Sequence, residues 1–517
     1  MTLPTDPLST LQQRRKKIIE NISPEKLAVL HAKGSLSARE RMGALFMEGS
    51  FQELGMHAHH NAVAFGMEGR ELPTDGVITG TGYVGSTQVA AFSQDFSLLA
   101  GTMGKMQARK IVRLMRHALR VGVPMVAFKD SGGARIQEGV DALSGYGDVF
   151  YYNVMLSGVV PQIAVILGPC AGGAAYSPAL MDFVIMTRRN AYMFLTGPEV
   201  IKAVTGRSTT MDEVGSAEMH ASVSGNVHFL AENDQHAIAL VKQVLSYLPP
   251  NNTEDPPHDF SVGIDESADE GLRDLVPKDS SEPLDMRVII QRLVDGGELL
   301  EVHANFARNV IVGFARIAGV VVGVVANQPM VMAGALDMDA ADKISRFVRT
   351  CNVYNVPLVT LVDVPGFLPG VEQERSGIIR HGAKMLHAFA SCTTPKLTVI
   401  VRKAYGGSYL AMCSQEMRAD MVFAWPSAEI AVMGAEAAVK ILYRKELDQA
   451  SDRRAMATEL TQQYREKFAS PYVAAANFYI TDVIDPADTR WMLALALRKT
   501  LGKRELRPAK KHGNMPL

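Results

Sequence analysis

The sequence predicts an α/β fold that is present twice, in two domains of one type. A chain of 517 residues is too long for one hydrophobic core. Positions in its first half recur in its second half at a constant offset of 233 residues (334 − 101). Four such pairs are Gly101 and Gly334, Lys110 and Lys343, Pro124 and Pro357, and Asp130 and Asp363. After one inserted residue, the matching pairs are Pro161 and Pro395, Gly172 and Gly406, and Gly173 and Gly407. A fixed offset through seven positions indicates duplication of one fold.

Each half alternates short apolar runs with helical segments. The apolar runs have the length of strands and occur at 124–128 and 161–167, with copies at 357–362 and 395–401. Runs that are apolar at successive positions are typical of strands buried on both faces within α/β layers. Helical segments are expected between the runs, at 108–119 and 341–353. The alternation therefore predicts two α/β domains.

The domain boundaries follow from a change in composition near the middle of the chain. We predict a first domain at 1–255, an acidic linker at 256–285 and a second domain at 286–517. The linker is rich in Pro, Asp and Glu, so it cannot bury enough apolar surface to order well. The first 50 residues or so are charged and helical in pattern, with Ser37 as a plausible helix start.

Composition and charge argue against several classes of protein. Lys plus Arg total 53 and Asp plus Glu total 54, which lacks the basic excess of nucleic-acid-binding proteins. The longest apolar run, 317–326, is too short for a membrane span, and no apolar core follows the basic residues 14–17 as in a secretory signal. Four scattered cysteines favour a reducing cytoplasm and no zinc site. We expect His57, His59 and His60 to lie on a surface loop, without a metal.

Two glycine pairs at equivalent places in the repeat are the strongest candidates for chemistry. Gly172 and Gly173 follow the run at 161–167, and Gly406 and Gly407 follow its copy. A strand that leads through Gly-Gly into a helix aims backbone N–H groups and a positive dipole end at one point. Such donors stabilise an enolate or oxyanion, and the loss of one costs roughly 3 kcal/mol of barrier. One pair alone is better explained by tight helix packing, but two matching pairs favour a catalytic role.

Other local patterns leave alternatives open or exclude them. The Gly-bearing stretches 130–135 and 363–370 follow copied strands, where α/β sheets form their ligand crevice. Arg135 is suited to a phosphate or carboxylate ligand, and equally to holding Glu138. No P-loop and no G-x-S-x-G elbow occurs, which argues against a nucleotide site and a serine hydrolase. Lys384, in an incomplete version of a biotin-attachment sequence, is interpreted as structural.

Longer motifs resemble the carboxyltransferase subunits of biotin-dependent acyl-CoA carboxylases. The closest likeness is to propionyl-CoA carboxylase beta subunits and to the alpha subunit of sodium-pumping methylmalonyl-CoA decarboxylase. The similar segments cover nearly the whole chain and include 93–96, 130–138, 168–173, 327–329, 363–370, 379–384, 402–407, 424–426 and 510–517. The resemblance implies two crotonase-like domains of the ClpP/crotonase type, in agreement with the repeat.

The resemblance also implies which residues bind which ligand. The first domain binds the acyl-CoA substrate and the second binds biotin, the cofactor, which is carried on a partner protein. Backbone N–H groups of Gly172 and Gly173 hold the thioester oxygen, and those of Gly407 and Ser408 hold the ureido oxygen of biotin. The further substrate-binding residues are Gly101, Ala171, Tyr409 and Leu410. The further biotin-binding residues are Gly334, Gly366 and Gly406.

Assembly and mechanism are implied in the same way. The site forms between the first domain of one subunit and the second domain of another, in a hexamer. The partner is a biotinylated carrier protein or a biotin carboxylase subunit, without nucleic acid and without direct membrane insertion. Carboxybiotin releases carbon dioxide, the biotin anion takes the alpha proton of the acyl-CoA, and the enolate attacks the carbon dioxide. No side-chain base is required, and the reverse sequence gives decarboxylation.

Leu410 is the informative departure within the resemblance. Propionyl-CoA carboxylases typically carry Asp there, whereas the stretch 406–415 is more similar to the decarboxylase. An apolar residue beside the acyl pocket alters acyl preference, unless Leu410 simply fills core space. The main prediction is a carboxylase subunit acting on propionyl-CoA or methylmalonyl-CoA, and the alternative is the decarboxylase alpha subunit. A stand-alone crotonase-type hydratase or isomerase is disfavoured, because such enzymes have one domain and need an acidic base.

Overall fold

The structure, a computed structural model, describes residues 6–277 and 282–517. The chain divides into two compact units, Met1–Glu254 and Asp255–Leu517, called here the first and second unit. Residues 1–5 of the predicted first domain and 278–281 of the predicted linker lie outside the described residues.

A mixed sheet forms the centre of the first unit. Its strands are β1 (Gln52–Leu54), β2 (Val77–Val84), β3 (Thr87–Gln94), β4 (Met125–Ser131), β5 (Gln162–Ala171), β6 (Phe183–Thr187), β7 (Tyr192–Phe194) and β8 (Phe229–Ala231). They lie in the order β1-β2-β3-β4-β5-β6-β8, and β7 pairs with the end of β5. The pairs β1–β2 and β2–β3 are antiparallel and the others are parallel. The strands β3, β4 and β5 therefore end at one edge of the sheet.

Helices of the first unit surround this sheet. They are α1 (Pro7–Ile19), α2 (Pro24–Ala32), α3 (Ala38–Leu45), α4 (Lys105–Val121), α5 (Val140–Leu156), α6 (Tyr176–Ala179), α7 (Pro198–Thr205), α8 (Met211–Gly215), α9 (Ala217–Ser222) and α10 (Asp234–Leu245). Ser37 caps α3 in a reciprocal capping box with Glu40, as the sequence predicts. One face of α4 is buried in the core, and the helix ends at Gly122 in the left-handed conformation.

The second unit repeats the sheet of the first. Its strands are β9 (Leu300–Val302), β10 (Val310–Ile317), β11 (Val320–Asn327), β12 (Leu358–Val364), β13 (Lys396–Tyr405), β14 (Met421–Ala424), β15 (Glu429–Ala431) and β16 (Asp482–Val483). They lie in the order β16-β14-β13-β12-β11-β10-β9, with β15 paired to β13. Each pair has the same direction as its counterpart in the first unit. The duplication predicted from the constant offset is confirmed.

Helices of the second unit also follow the repeat up to β13. They are α11 (Met286–Leu293), α12 (Met338–Val353), α13 (Val371–Arg375), α14 (Ile378–Ser391), α15 (Gly406–Ala411), α16 (Ala435–Leu442), α17 (Arg444–Gln449), α18 (Arg453–Tyr464), α19 (Pro471–Ala476) and α20 (Thr489–Thr500). A π-helical turn, Arg465–Ala469, follows α18. The predicted helices at 108–119 and 341–353 correspond to α4 and α12, and the predicted strands to β4, β5, β12 and β13.

The lysines of the repeat have a structural role. Lys110 Nζ donates to the carbonyl of Thr74 at 2.8 Å, and Lys343 Nζ donates to the carbonyls of His303 at 3.0 Å and Phe306 at 2.8 Å. Burial lowers the pKa of Lys110 to about 8 and that of Lys343 to about 7. Each ammonium therefore ties the chain that precedes an antiparallel hairpin to the first long helix of its unit.

Part of the segment predicted as a linker packs into the second unit. Leu272 and Leu284 are 0% and 4% exposed in its hydrophobic core, and the backbone of Asp259 bonds to Gly319 at 2.9 Å. A few leucines spaced along a Pro-rich acidic stretch are enough to anchor it, because each buried leucine contributes about 2 kcal/mol of transfer free energy. Within the described ranges, no helix is long and apolar enough to cross a membrane.

Candidate active site

The first glycine pair lies where β5 ends. The strand runs to Ala171, and a 3-10 turn, Gly172–Ala175, leads into α6. Gly172 has φ +60°, which favours glycine, whereas Gly173 does not have a positive φ. Among the described residues, no side chain caps the turn, so its first N–H groups remain available to a ligand. A Cβ added at Gly173 would lie 3.6 Å from the Tyr146 ring, an ordinary contact.

The second glycine pair repeats this geometry at the end of β13. Gly406, with φ +58°, is the first residue of α15, and Gly407 is exposed. No described atom lies within 4 Å of a Cβ added at Gly407. Ser408 is 1% exposed, and its hydroxyl donates to the carbonyl of Tyr405 at 2.6 Å. The Ser408 hydroxyl is therefore engaged within the protein, which leaves its backbone N–H as the group that can face a ligand.

Gly101 belongs to a loop that packs beside the first pair. It has φ +62°, and a Cβ there would lie 2.0 Å from the carbonyl oxygen of Asp130. The neighbouring carbonyl of Ala100 accepts a bond from Gly132 N at 2.9 Å. A Cβ at Gly133 would in turn lie 3.0 Å from the carbonyl oxygen of Ala171. Three loops thus stack at the edge of the sheet where β3, β4 and β5 end.

Gly334 and Gly366 repeat this stack in the second unit. Gly334 has φ +77°, and a Cβ there would lie 2.7 Å from the carbonyl oxygen of Asp363. The carbonyl of Gly366 accepts a bond from Leu336 N at 3.1 Å. Both glycines shape the backbone, and neither contributes a side chain to a ligand. The geometry brings the predicted residues of each unit to a single sheet edge.

Two side chains of α15 differ in exposure. Tyr409 is 8% exposed, burial raises the pKa of its hydroxyl, and that hydroxyl has no partner among the described residues. Leu410 is 39% exposed, so it does not fill core space in this chain. An exposed leucine one turn from Gly407 is consistent with contact to a ligand or to another subunit.

The motif aspartates support the strands that carry the glycine pairs. Asp130 Oδ2 accepts from Arg41 at 3.0 Å, and a Cβ at Gly168 would lie 2.0 Å from Asp130 Oδ1. Burial raises the pKa of Asp130 to about 6, although Arg41 favours the ionised form. Asp363 likewise accepts from Arg402 Nη2 at 2.8 Å and from Lys403 N at 3.1 Å. The sequence signal was an aspartate at the end of each copied strand, but its partners were not foreseeable.

Other candidate side chains are engaged within the fold. Arg135 is fully buried and pairs with Glu138, so the second of its two interpretations holds. Lys384 pairs with Asp342 at 2.9 Å, as expected for a structural residue. His60 departs from the predicted surface loop: it is 7% exposed and its Nε2 bonds to the Arg70 carbonyl at 2.7 Å. Among the described residues, no three His, Cys, Asp or Glu side chains are grouped as metal ligands.

Comparison with known proteins gives one consistent result. A family model, Carboxyl transferase domain, matches residues 30–515. The methylmalonyl-CoA carboxyltransferase 12S subunit of Propionibacterium freudenreichii subsp. shermanii is 53% identical over 506 residues, covering 98% of this chain and 96% of that protein. The methylmalonyl-CoA decarboxylase subunit alpha of Veillonella parvula is 50% identical, covering 99% of each. The propionyl-CoA carboxylase beta chain of Saccharopolyspora erythraea is 49% identical, covering 99% of this chain and 96% of that protein.

A solved structure agrees with the sequence relatives. The transcarboxylase 12S crystal structure, a hexamer assembly with methylmalonyl-coenzyme A and methylmalonic acid bound, is 52% identical and superposes with a TM-score of 0.96 over 100% of both chains. The duplicated α/β fold is therefore the crotonase-like carboxyltransferase fold that the sequence resemblance implied. With two matching units, intact glycine pairs and a family match over nearly its whole length, the chain belongs to the carboxyl transferase domain family and is an enzyme of that family.

Proposed function

We propose that the chain is the carboxyltransferase subunit of a biotin-dependent acyl-CoA carboxylase that acts on propionyl-CoA or methylmalonyl-CoA. The observation that carries the proposal is the pair of equivalent glycine turns, Gly172–Gly173 and Gly406–Gly407, each at the end of the same strand in two copies of one fold. The reaction joins two ligands, and each requires stabilisation of negative charge on an oxygen. Two sets of backbone donors match that requirement.

The first unit is proposed to bind the acyl-CoA. Backbone N–H groups of Gly172 and Gly173 hold the thioester oxygen as it gains charge in the enolate, while Gly101 and Ala171 shape the adjoining backbone. Fixed donors in a site from which water is excluded stabilise this charge more than solvent does. Gly173 lies against the buried Tyr146 ring, so the turn is supported from the protein side.

The second unit is proposed to bind biotin. Open space around Gly407 fits the approach of a flat ureido group, and Gly334, Gly366 and Gly406 shape the surrounding backbone. When bound, biotin carries the carboxyl group and accepts the alpha proton of the acyl-CoA. The N–H groups of Gly407 and Ser408 stabilise the charge on the ureido oxygen. Because the ligand supplies the base, the protein needs none.

Assembly and location belong to the same proposal. We infer a hexamer in which the active site combines the first unit of one subunit with the second unit of another. The partner is a biotinylated carrier protein or a biotin carboxylase subunit, and the location is cytoplasmic. The hexameric transcarboxylase 12S structure, which superposes over the whole chain, supports this assembly.

A second candidate function is the alpha subunit of a methylmalonyl-CoA decarboxylase. Leu410 favours it, since the sequence around this position resembles the decarboxylase, and the Veillonella parvula relative is 50% identical. Both functions use the same two glycine turns, in opposite directions. A neighbouring gene for a multi-spanning membrane subunit favours the decarboxylase, and one for a biotin carboxylase favours the carboxylase.

The purified chain is expected to be inactive with ATP, bicarbonate and propionyl-CoA. The sequence contains neither a nucleotide-binding P-loop nor a complete biotin-attachment sequence. Addition of free biotin at high concentration with methylmalonyl-CoA should instead give decarboxylation, measured as release of carbon dioxide. ATP-dependent carboxylation by the chain alone would contradict the proposed role.

Leu410→Asp is expected to change acyl preference and to leave the fold intact. The position is 39% exposed, so the new carboxylate stays hydrated in the isolated chain. Beside an acyl group, a change of about one methylene in the fit is worth roughly 1–3 kcal/mol, or at least about tenfold in relative kcat/KM. The measurement is carboxyl transfer to acetyl-, propionyl- and butyryl-CoA with the biotinylated partner. An equal fall for all three substrates would assign Leu410 to general packing or assembly.

A further inference from the structure

We propose that Arg135 is a positioning residue for the acyl-CoA thioester. Its guanidinium fixes the loop Leu98–Gly104, which carries Gly101, against the loop that precedes Gly172. The proposal rests on the proposed function, because it assumes that the first unit binds the acyl-CoA.

The Arg135 guanidinium connects three separate segments inside the first unit. It is fully buried, and its Nη1 contacts Asp75 Oδ1 at 2.7 Å and Glu138 Oε1 at 2.8 Å. Its Nη2 donates to the carbonyl of Thr102 at 3.0 Å. One planar group thus holds the residue after Gly101, the start of β2 and the loop after β4 in one arrangement. We call Arg135, Asp75 and Glu138 the ionic clamp.

The two carboxylates of the ionic clamp also hold the first turn of α4. Glu138 Oε2 accepts from Lys105 N at 2.7 Å, and Asp75 Oδ2 accepts from Gln107 N at 2.8 Å. The N-cap residue, Gly104, has no side chain with which to do this itself. Carboxylates from elsewhere in the chain therefore replace the local cap and match the positive end of the helix dipole. The start of α4 is tied to Arg135 through both of them.

The backbone carries this restraint to the oxyanion turn. Met103 N donates to the Gly133 carbonyl, and Arg135 N donates to the Met103 carbonyl, both at 2.9 Å. A Cβ at Gly133 would lie 3.0 Å from the carbonyl oxygen of Ala171, so Gly133 packs directly on the residue before Gly172. A shift of Arg135 therefore moves the two loops that flank the thioester site.

The second unit shows that the fold itself does not require the ionic clamp. At the offset of 233 residues, Leu368 stands in place of Arg135 and Arg308 in place of Asp75. The same backbone bond is present, from Leu368 N to the Leu336 carbonyl at 2.8 Å. There the N-cap is Asp337, whose own side chain accepts from Ala340 N at 2.9 Å. An ordinary cap suffices to build this loop and helix in the second unit.

Two consequences follow from the difference between the units. Buried ion pairs contribute little net stability compared with apolar side chains of similar volume, so the ionic clamp is not explained by stability alone. A fork that ties three segments does, however, restrict their relative positions. A displacement of about 1 Å at a reacting centre costs roughly 10²-fold in rate. Fixing the donors beside the thioester is therefore the role that the geometry assigns to Arg135.

The test compares variants of the full-length chain in biotin-dependent decarboxylation of methylmalonyl-CoA. Glu138→Gln removes one charge of the clamp and keeps its shape. Gly104→Ala keeps every charge, but its Cβ would lie 2.6 Å from Arg135 Nη1, which is fully buried and cannot move aside. Both should lower kcat/KM for methylmalonyl-CoA roughly 10²-fold. The KM for free biotin should stay unchanged, and Arg135→Lys should retain more activity than Arg135→Met.

Asp337→Asn is the matched control, because it weakens the corresponding cap in the second unit. It should leave the dissociation constant for propionyl-CoA, measured by calorimetry, unchanged, whereas Glu138→Gln and Gly104→Ala should raise it. A purely structural role predicts lower melting temperatures with unchanged kinetic constants in the surviving protein, or equal losses for both ligands. Either result overturns the proposal for Arg135.

One further variant separates the two proposals. If Gly173→Val weakens propionyl-CoA binding while the clamp variants do not, the acyl-CoA site stands and the role of Arg135 is wrong. If none of these first-unit variants alters propionyl-CoA binding, the proposed assignment of acyl-CoA to the first unit fails.

Discussion

Gly407→Val is expected to reduce carboxyl transfer by at least about 10²-fold, through loss of biotin use. No described atom lies within 4 Å of a Cβ at this position, and its φ is not positive, so the isolated fold accommodates the new side chain. The branched group occupies the space in which the ureido oxygen would meet the backbone N–H groups. The assay is biotin-dependent decarboxylation of methylmalonyl-CoA, with separate titrations of biotin and of the CoA ester. The KM for biotin or kcat should change, while the dissociation constant for propionyl-CoA should not.

Gly502→Val provides the matched control for this variant. Gly502 is also exposed in the second unit, with no described atom within 4 Å of an added Cβ. It should retain wild-type activity and oligomer size. Near-normal biotin-dependent turnover by Gly407→Val would show that Gly407 does not carry the proposed oxyanion site.

Gly173→Val is expected to cause a loss of similar size, on the acyl-CoA side. The loss of one such donor costs roughly 3 kcal/mol, or about 10²-fold in kcat. The φ of Gly173 is not positive, and its nearest neighbour is the Tyr146 ring at 3.6 Å, so the backbone does not require glycine for its own sake. The dissociation constant for propionyl-CoA and kcat/KM for methylmalonyl-CoA report the effect, and the KM for biotin should stay constant.

Gly43→Val controls for the bulk of the new side chain in the first unit. Gly43 lies on the exposed face of α3, with no described atom within 4 Å of an added Cβ. It should bind propionyl-CoA as the wild type does. A Gly173→Val protein that binds and turns over the CoA ester normally would remove Gly172–Gly173 from the site.

The duplication and the glycine turns were predictable from the sequence, because both depend on local pattern. Pro124 and Pro161 mark the residue before β4 and before β5, where a missing N–H is harmless, and the apolar runs behind them give the strands. Gly172 and Gly406 mark the turns because their positive φ disfavours other residues. Such signals need no knowledge of distant parts of the chain.

Contacts between distant segments were not predictable in the same way. Arg135 is close to Glu138 in sequence, and that partner was considered, but Asp75 lies 60 residues earlier. His60 resembled a surface residue until the fold placed the Arg70 carbonyl next to its ring. A single sequence reports which residues can ionise or bond, and the tertiary fold decides which ones meet.

The strand that carries each glycine turn changes neighbours along its length. β5 pairs with β6 from Ile163 to Ile166 and then with the short β7 from Pro169 to Ala171. β13 makes the same change, from β14 to β15. The short strand can therefore vary in sequence without loss of the pairing that holds the main sheet. Natural selection, or a designer, has in each copy a small replaceable wall beside a fixed catalytic turn, through which new acyl specificities can arise.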